Sequence, residues 1–512
     1  MRLTLWHGWR LEGSGSSVFT ARIAETLRAG GHDVLVLCQE PAASSMPFVD
    51  GVGTVSADGV STIEPTGAGA AAGNVTVLLP SIGSLLPVFV VDEYEGFEVK
   101  RFVDLSDEEL TGYLRRNADA LRVAVEWHGS EAVVAGHAVP GPSVARLALG
   151  PGRYIAKVHG SDLEYAVRQQ PRLRDLAREG LEGALAVTGA SQSVLRRTVE
   201  LFPSVATRVV MITPGVDPER FRPRARAEGL LAAAGRLDDD PRTGDGRPSA
   251  LDAEVVSALE GRDAAAFEGL AARYDQDAPD PEAAARLRDL ASGAEPVVGY
   301  FGKLIPQKGV EIFLQALASL REPAAHGLVI GFGTFREWLA GLTMALDRGD
   351  AGAFDWLRSV SPMQLELPTD AVRAAAGFAS RVTFTGRLDH SVAPEALAAL
   401  DVLVVPSTLS EAFGMVAAEG AAAGALPLVA RHSGLAELAA ALEELVERPG
   451  WFSYEPGPGA VERLTGGIER LLAVPETERK ELARAVSDFV REEWTWERAA
   501  RILLDTASRR PQ

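Results

Sequence analysis

The chain has 512 residues, 46% of them hydrophobic and 24% charged, and its 51 basic against 70 acidic residues leave a formal charge of −19. That is an ordinary globular composition, too long for one comfortable core and so predicting two domains, and its acidity argues against a general nucleic-acid surface. A single cysteine, Cys38 inside DVLVLCQE, excludes a disulfide framework and fits a small core residue in a reducing compartment. The opening MRLTLWHGWR has no apolar core of a secretory signal, and no apolar run approaches the roughly 20 residues that span a bilayer. The expectation is a cytoplasmic protein with no transmembrane segment.

Residues 3–6 predict a first strand, 16–28 a helix with Val18, Ile23, Ala24 and Leu27 on one face, and 32–37 a second strand. This is the unit from which parallel sheets are built. Between strand and helix, Gly13-Ser14-Gly15-Ser16-Ser17 offers backbone donors and hydroxyls for a phosphate or sugar, or simply a serine N-cap. Gly13-x-Gly15 followed by Glu40 invites a dinucleotide reading. It fails because Val18 stands at the third glycine position and Gly13 does not follow its strand directly.

Residues 66–73 read as a loose small-residue loop and 74–80 as a strand. Acids and aromatics around Lys100-Arg101 then predict a surface loop over a small aromatic core, or an acceptor contact. An amphipathic helix is expected over 110–127, and strands over 132–135 and 154–158 end in Gly136-His137 and His159-Gly160-Ser161-Asp162. Ligands sit at the C-terminal ends of parallel strands, so both histidines are placed for function; the plainer reading gives each a backbone carbonyl. Strands at 184–190 and 209–213 follow, and Pro214-Gly215 stops the second abruptly.

Residues 225–295 shift to Ala, Asp, Arg, Gly and Pro, with helical stretches between breakers such as DDDPRTGDGRPSA. Asp238-Asp239-Asp240 lies in such a breaker run, a poor place for a metal site. The strand–helix alternation resumes at 297–301, with Gly302-Lys303-Leu304-Ile305-Pro306-Gln307-Lys308-Gly309 as its first loop. No P-loop spacing is present, yet Lys303 and Lys308 suit a clamp on a diphosphate. A strand at 327–331 leads into Gly331-Phe332-Gly333-Thr334, and one at 382–386 into Arg387-Leu388-Asp389.

The stretch 403–429 organises the rest: a strand (LVVP), a polar turn (STLS), then EAFGMVAAEGAAAG and a second strand (LPLV). A helix start after a strand binds phosphate through free N–H groups and the dipole. Glu411 and Glu419 bracket that start, about 12 Å apart if the residues between them are helical. No GxSxG, HExxH or CxxC site appears, which disfavours hydrolase triads and zinc chemistry.

The E-x7-E pattern with its inner Phe-Gly, beside HGSD, TPGVDPERF and GK-x4-KG, resembles retaining GT-B-fold glycosyltransferases, glycosyltransferase family 4. The resemblance implies an α/β GT-B fold: two Rossmann-like domains facing across a cleft, with helical insertions. It divides the chain into an N-terminal acceptor domain (1–222), an acidic helical insertion (223–295), a nucleotide-sugar-binding domain (296–487) and a terminal helix (488–512) returning to the first domain. It implies a hexosyltransferase in which His159, Lys303, Lys308 and Glu411 act at the reacting centre. Gly15, Gly302, Gly333, Arg387, Phe413, Gly414, Met415 and Glu419 would bind the donor, Glu411 gripping sugar hydroxyls and Glu419 the ribose. Lys303 stands where arginine is usual, keeping charge but losing bidentate geometry. The substrates would be a nucleotide-diphosphate sugar and a small-molecule, lipid-linked or glycan acceptor, with no cofactor or metal required and no nucleic acid. Two other functions fit the same residues: a catalytically silent nucleotide-sugar-binding partner, and an epimerase or phosphorylase on the same fold.

Overall fold

The computed structural model describes residues 1–90, 94–273, 277–321, 324–389 and 391–509; Asp92 and Glu93 of the acidic aromatic stretch and Tyr274 of the helical segment lie outside them. The contacts divide the chain into unit 1, Met1–Gly215 with Trp494–Gln512, and unit 2, Val216–Glu493.

The strands of unit 1 are short; those at the centre of the sheet are apolar and covered on both faces, and the outer ones are more exposed. They are β1 (Arg2–Trp6), β2 (Asp33–Leu37), β3 (Gly51–Ser56), β4 (Gly59–Val60), β5 (Glu64–Pro65), β6 (Asn74–Pro80), β7 (Leu85–Val88), β8 (Glu98–Arg101), β9 (Ala132–Gly136), β10 (Ile155–Lys157), β11 (Ala186–Gly189) and β12 (Val209–Met211). Among the described residues ten of these form one sheet in the order β12-β11-β10-β9-β1-β2-β6-β3-β4, with β5 also on β3, while β7 and β8 pair separately. The sheet is parallel from β12 to β3, with Leu3 opposite both Val34 and Ala132. The helices are α1 (Gly15–Ala29), α2 (Asp107–His128), α3 (Gly141–Leu149), α4 (Pro171–Glu182) and α5 (Gln192–Leu201). α2 starts on a capping box: the Ser106 hydroxyl accepts from the Glu109 N–H, and the Glu109 carboxylate accepts from the Ser106 N–H. α1 begins at Gly15 with Ser14 as N-cap, so the glycine–serine stretch is mostly the first turn of a helix. The terminal helix Trp496–Ala507, capped by Thr495, packs on α1.

Unit 2 opens with four helices, α6 (Arg226–Asp239), α7 (Asp252–Gly261), α8 (Ala264–Arg273) and α9 (Ala283–Ala291). The all-parallel sheet that follows has the order β15-β14-β13-β16-β17-β18, built from β13 (Val297–Phe301), β14 (His326–Ile330), β15 (Val382–Phe384), β16 (Val402–Val405), β17 (Leu426–Ala430) and β18 (Ser453–Tyr454). Around it lie α10 (Val310–Ser319), α11 (Arg336–Asp347), α12 (Ala351–Val360), α13 (Thr369–Ala374), α14 (Ala393–Leu397), α15 (Met415–Ala423), α16 (Ser433–Leu445), α17 (Ala460–Leu472) and α18 (Glu476–Glu493). Small residues make α15 thin enough to bury nearly all round: Ala417, Ala418, Ala421 and Ala422 are fully buried, and a side chain on Gly420 would meet the Leu403 side chain at 2.2 Å. Among the described residues no helix is long and apolar enough to cross a membrane.

Candidate active site

The loops at the C-terminal ends of β13, β14, β15 and β16 are laced together by their backbones. Gly302 N–H donates to Ile330 C=O (3.0 Å), Leu304 N–H to Phe332 C=O (2.7 Å), Gly331 N–H to Gly386 C=O (2.9 Å) and Thr408 N–H to Gln307 C=O (2.9 Å). Glycine is required where these loops touch. Gly309 sits at φ +66°, and a Cβ there would lie 2.2 Å from Pro406 O. At Gly333, φ +148°, a Cβ would meet Leu304 O at 2.4 Å.

This lacing brings Lys308 to Glu411. The ammonium donates to the carboxylate as an ion pair, with the two side chains 30% and 23% exposed. Burial pushes the Glu411 carboxyl up, but the Lys308 charge and hydrogen bond, a hydrogen bond from Ser407 and the nearby His432 outweigh it, so its pKa lies below the ordinary value. Behind it runs a polar relay. His432 Nε2 must donate, since its partner is the Ser407 carbonyl (2.6 Å); its Nδ1 lies 2.9 Å from the Ser433 hydroxyl, whose oxygen accepts the Glu411 N–H at 2.9 Å. The Glu411 carbonyl accepts from Gly434 N–H (3.0 Å).

The residues between the two glutamates are not one helix. Gly414 sits at φ +100° as the N-cap of α15, which begins only at Met415, so Glu411 belongs to a turn and Glu419 to the helix. The roughly 12 Å expected from a continuous helix therefore does not apply. Glu419 is buried at 6% exposure and Phe413 is in the core, while Gly414 and Met415 are half-buried at the helix start. Lys303 is exposed; its Nζ lies 5.8 Å from the centre of the Phe332 ring, and the Arg387 guanidinium lies 5.6 Å from the same centre.

His159 belongs to unit 1. It sits at the end of β10, with its ring centre 4.5 Å from that of His137. His137 also packs on Trp9 (4.6 Å), Phe89 (5.1 Å) and His7 (5.9 Å). Burial drives all three imidazoles toward the neutral form, His7 and His137 to about 3 and His159 well below its usual value. Asp162 pins the loop: its carboxylate accepts N–H groups from Ala138 (2.6 Å), His159 (3.2 Å), Gly160 (2.7 Å) and Leu163 (2.9 Å). Lys157, on the same strand, is buried with its Nζ 4.2 Å from the Phe19 ring centre, and burial brings its pKa down to about 7 against the opposing charge of Asp162. Gly15 is exposed at the start of α1.

The sequence reading left out Ser407, His432, Ser433 and Phe332. None carries a motif signal alone; what marks them is their position just beyond a strand. Among the described residues no group of three or more His, Cys, Asp or Glu is placed to hold a metal ion.

Two units, each built on a largely parallel sheet, give the chain the GT-B fold, and its relatives mark it as a glycosyltransferase. Residues 359–474, which include Glu411 and Glu419, match the family described as Glycosyl transferases group 1. The chain is 24% identical over 397 residues, 75% of its length and 77% of the relative's, to a GDP-mannose-dependent alpha-(1-6)-phosphatidylinositol monomannoside mannosyltransferase of Mycobacterium tuberculosis. Among solved structures it is similar to sucrose-phosphate synthase from Thermosynechococcus elongatus (TM-score 0.55, 16% identity, 98% and 97% of the two chains). An Anabaena protein in complex with UDP and glucose is equally similar (TM-score 0.55, 15% identity, 99% of each chain).

Proposed function

We propose that the chain transfers a hexosyl group from a nucleotide-diphosphate sugar, with retention at the anomeric carbon, to a small-molecule, lipid-linked or glycan acceptor. The observation that carries this is the Lys308–Glu411 pair set before the α15 start at the end of a parallel sheet. Lys308, Lys303 and the N–H groups of Gly414 and Met415 supply positive charge where a leaving diphosphate gains negative charge, so no metal or other cofactor is needed. Phe413, Gly302 and Gly333 shape the same loops, and Gly15 offers donors at the α1 start.

Glu411 binds the sugar hydroxyls and Glu419 the ribose. His159, neutral in its aromatic cluster, is an uncharged hydrogen-bonding group for the sugar, with Asp162 fixing its backbone. The leaving phosphate takes the acceptor's proton, and no protein nucleophile is assigned. Release of nucleoside diphosphate from a panel of donors in the presence of acceptors tests the proposal. The expected result is turnover in the wild type that falls at least about a hundredfold in Glu411→Ala and Lys308→Ala. Phosphorolysis without nucleotide, or turnover unaffected by both substitutions, would refute it.

A further inference from the structure

The segment 223–295 reaches the strand ends of unit 2 through its last turn before α9. Asp280 N–H donates to Thr385 C=O (2.8 Å), Arg387 N–H donates to Ala278 C=O (3.0 Å), and Pro279 bridges antiparallel to Gly386. The fit is close: a Cβ on Gly386, which sits at φ +71°, would lie 2.6 Å from Ala278 O and 2.6 Å from Asp280 N. So 277–280 are tied to the same loop lacing that carries Lys303 and Lys308. Farther in, the tie is anchored by buried ion pairs, Arg247 with Glu337 at 2.7 Å and Arg336 with Asp280 at 3.5 Å.

That position delivers one acid. Asp277, 63% exposed, is ion-paired with the Arg387 guanidinium, which shares the half-buried Phe332 ring with Lys303. Nearby, Arg242 lies 3.2 Å from both Asp240 and Asp389 and also feels the charge of Asp277, at longer range than Arg387 does. Two of the three cations assigned to the donor thus already hold a carboxylate, Lys308 through Glu411 and Arg387 through Asp277. With its carboxylate 63% exposed, the Arg387–Asp277 pair is open to water on the acid's side, and a pair of this kind contributes little to stability and exchanges readily. A diphosphate oxygen offers guanidinium a stronger, more highly charged acceptor.

We propose that Asp277 is an internal counter-anion for Arg387: it holds the guanidinium beside Phe332 and Lys303 until a nucleoside diphosphate replaces it, and so sets donor affinity downward. The inference rests on the donor site proposed above. It assigns the segment 223–295 a part in donor affinity, through one residue that touches Arg387 and not the ligand.

The test is titration of UDP, GDP and ADP against the wild type, Asp277→Asn, Arg387→Gln and the double variant at low and physiological salt. The preferred nucleotide should bind Asp277→Asn about two- to fivefold tighter than wild type, the size of an exposed ion pair, with the gain shrinking as salt rises. Arg387→Gln should bind it more weakly, and adding Asp277→Asn to that variant should change nothing. A purely structural role for Asp277 would weaken binding instead. Unchanged or weaker binding by Asp277→Asn, or the same gain without Arg387, overturns the inference while leaving the donor site standing. A wild type that binds none of the three nucleotides overturns the donor site itself, and the inference with it.

Discussion

Removing Lys308 separates two effects that the pair fuses. In Lys308→Ala the Glu411 carboxylate stays three-quarters buried, with 23% of its side chain exposed, but loses its cation. Breaking a buried pair costs about 3–5 kcal/mol and an exposed one about 0–1, so this intermediate pair should cost about 1–2 kcal/mol at pH 7. For a unit of this size that is about 2–4 °C in thermal midpoint. The pH dependence has a definite sign. The Glu411 pKa is depressed in the fold, so its stabilisation is present above about pH 4.5 and lost as pH falls through the depressed value. Without Lys308 its charge and hydrogen bond are lost and burial is opposed only by Ser407 and His432, so the pKa is higher than in the wild type and the variant reaches the protonated carboxyl first. The stability gap between wild type and variant should therefore narrow as pH falls from the variant's pKa to the depressed wild-type value, which lies below about 4.5. Thermal melts across that range measure it, with Glu411→Gln as the background in which Lys308→Ala should lose most of its effect. Nucleoside diphosphate titrations of the same proteins should show a roughly 10- to 100-fold weaker complex, the loss of one charged contact. A deficit that does not shrink at all as the melts are carried down through the acid range to the depressed Glu411 value, or one undiminished in Glu411→Gln, would refute the pairing argument.

Gly434→Ala should destabilise unit 2 by about 2 kcal/mol or more and weaken nucleotide binding, because its Cβ would lie 2.5 Å from Ala412 O and 2.7 Å from the Phe413 Cα. Gly466→Ala in α17, where a Cβ meets nothing within 4 Å, should instead stabilise the protein by about 0.4–1 kcal/mol in denaturant melts. Asp162→Ala strips a carboxylate from four backbone N–H groups and should cost about 2–4 kcal/mol, with faster amide exchange at Ala138 and Gly160 than in wild type. Lys157 has its folded-state pKa brought down to about 7, so the unfolded chain binds the extra proton between about pH 7 and pH 10 and wild-type stability should rise across that interval. Lys157→Met should flatten the rise by about 1 kcal/mol per pH unit, as read from urea midpoints, and an unchanged slope would mean that the lysine is hydrated.

What was legible in the sequence is what depends on local pattern. The strands of both units are short apolar runs ended by glycine, proline or a polar cluster, and 74–80, 297–301 and 426–430 fall where the residues place them. Glu411, Lys303 and Lys308 were visible as charged residues on strand-to-helix loops for the same reason. Their partners were not. Lys308 and Glu411 stand 103 positions apart, and the backbone contacts of Gln307 with Thr408 and of Gly309 with Pro406 bring their loops together. The positive φ of Gly414 was likewise unreadable, because Phe-Gly-Met before an alanine run fits a continuous helix as well as a turn and a new start; the glycine's freedom leaves both open.

The segment 223–295 shows the boundary most sharply. Its helices follow from apolar spacing between breakers, and α6 to α9 lie there. The residues that matter to the site, 277–280, are a breaker run with no alternation, and they join the strand ends through main-chain groups that every residue type carries. Side-chain patterning cannot encode a contact made by the backbone, except where a glycine is forced to make room for it. Gly386 and Gly246 are such positions: a Cβ on Gly246 would lie 1.8 Å from Pro279 O, so two glycines far apart in the chain mark the path of one short strand-like turn. Substituting either with alanine should therefore displace 277–280 and release Arg387 from Asp277. That links a packing requirement in the acidic segment to the charge presented to the donor.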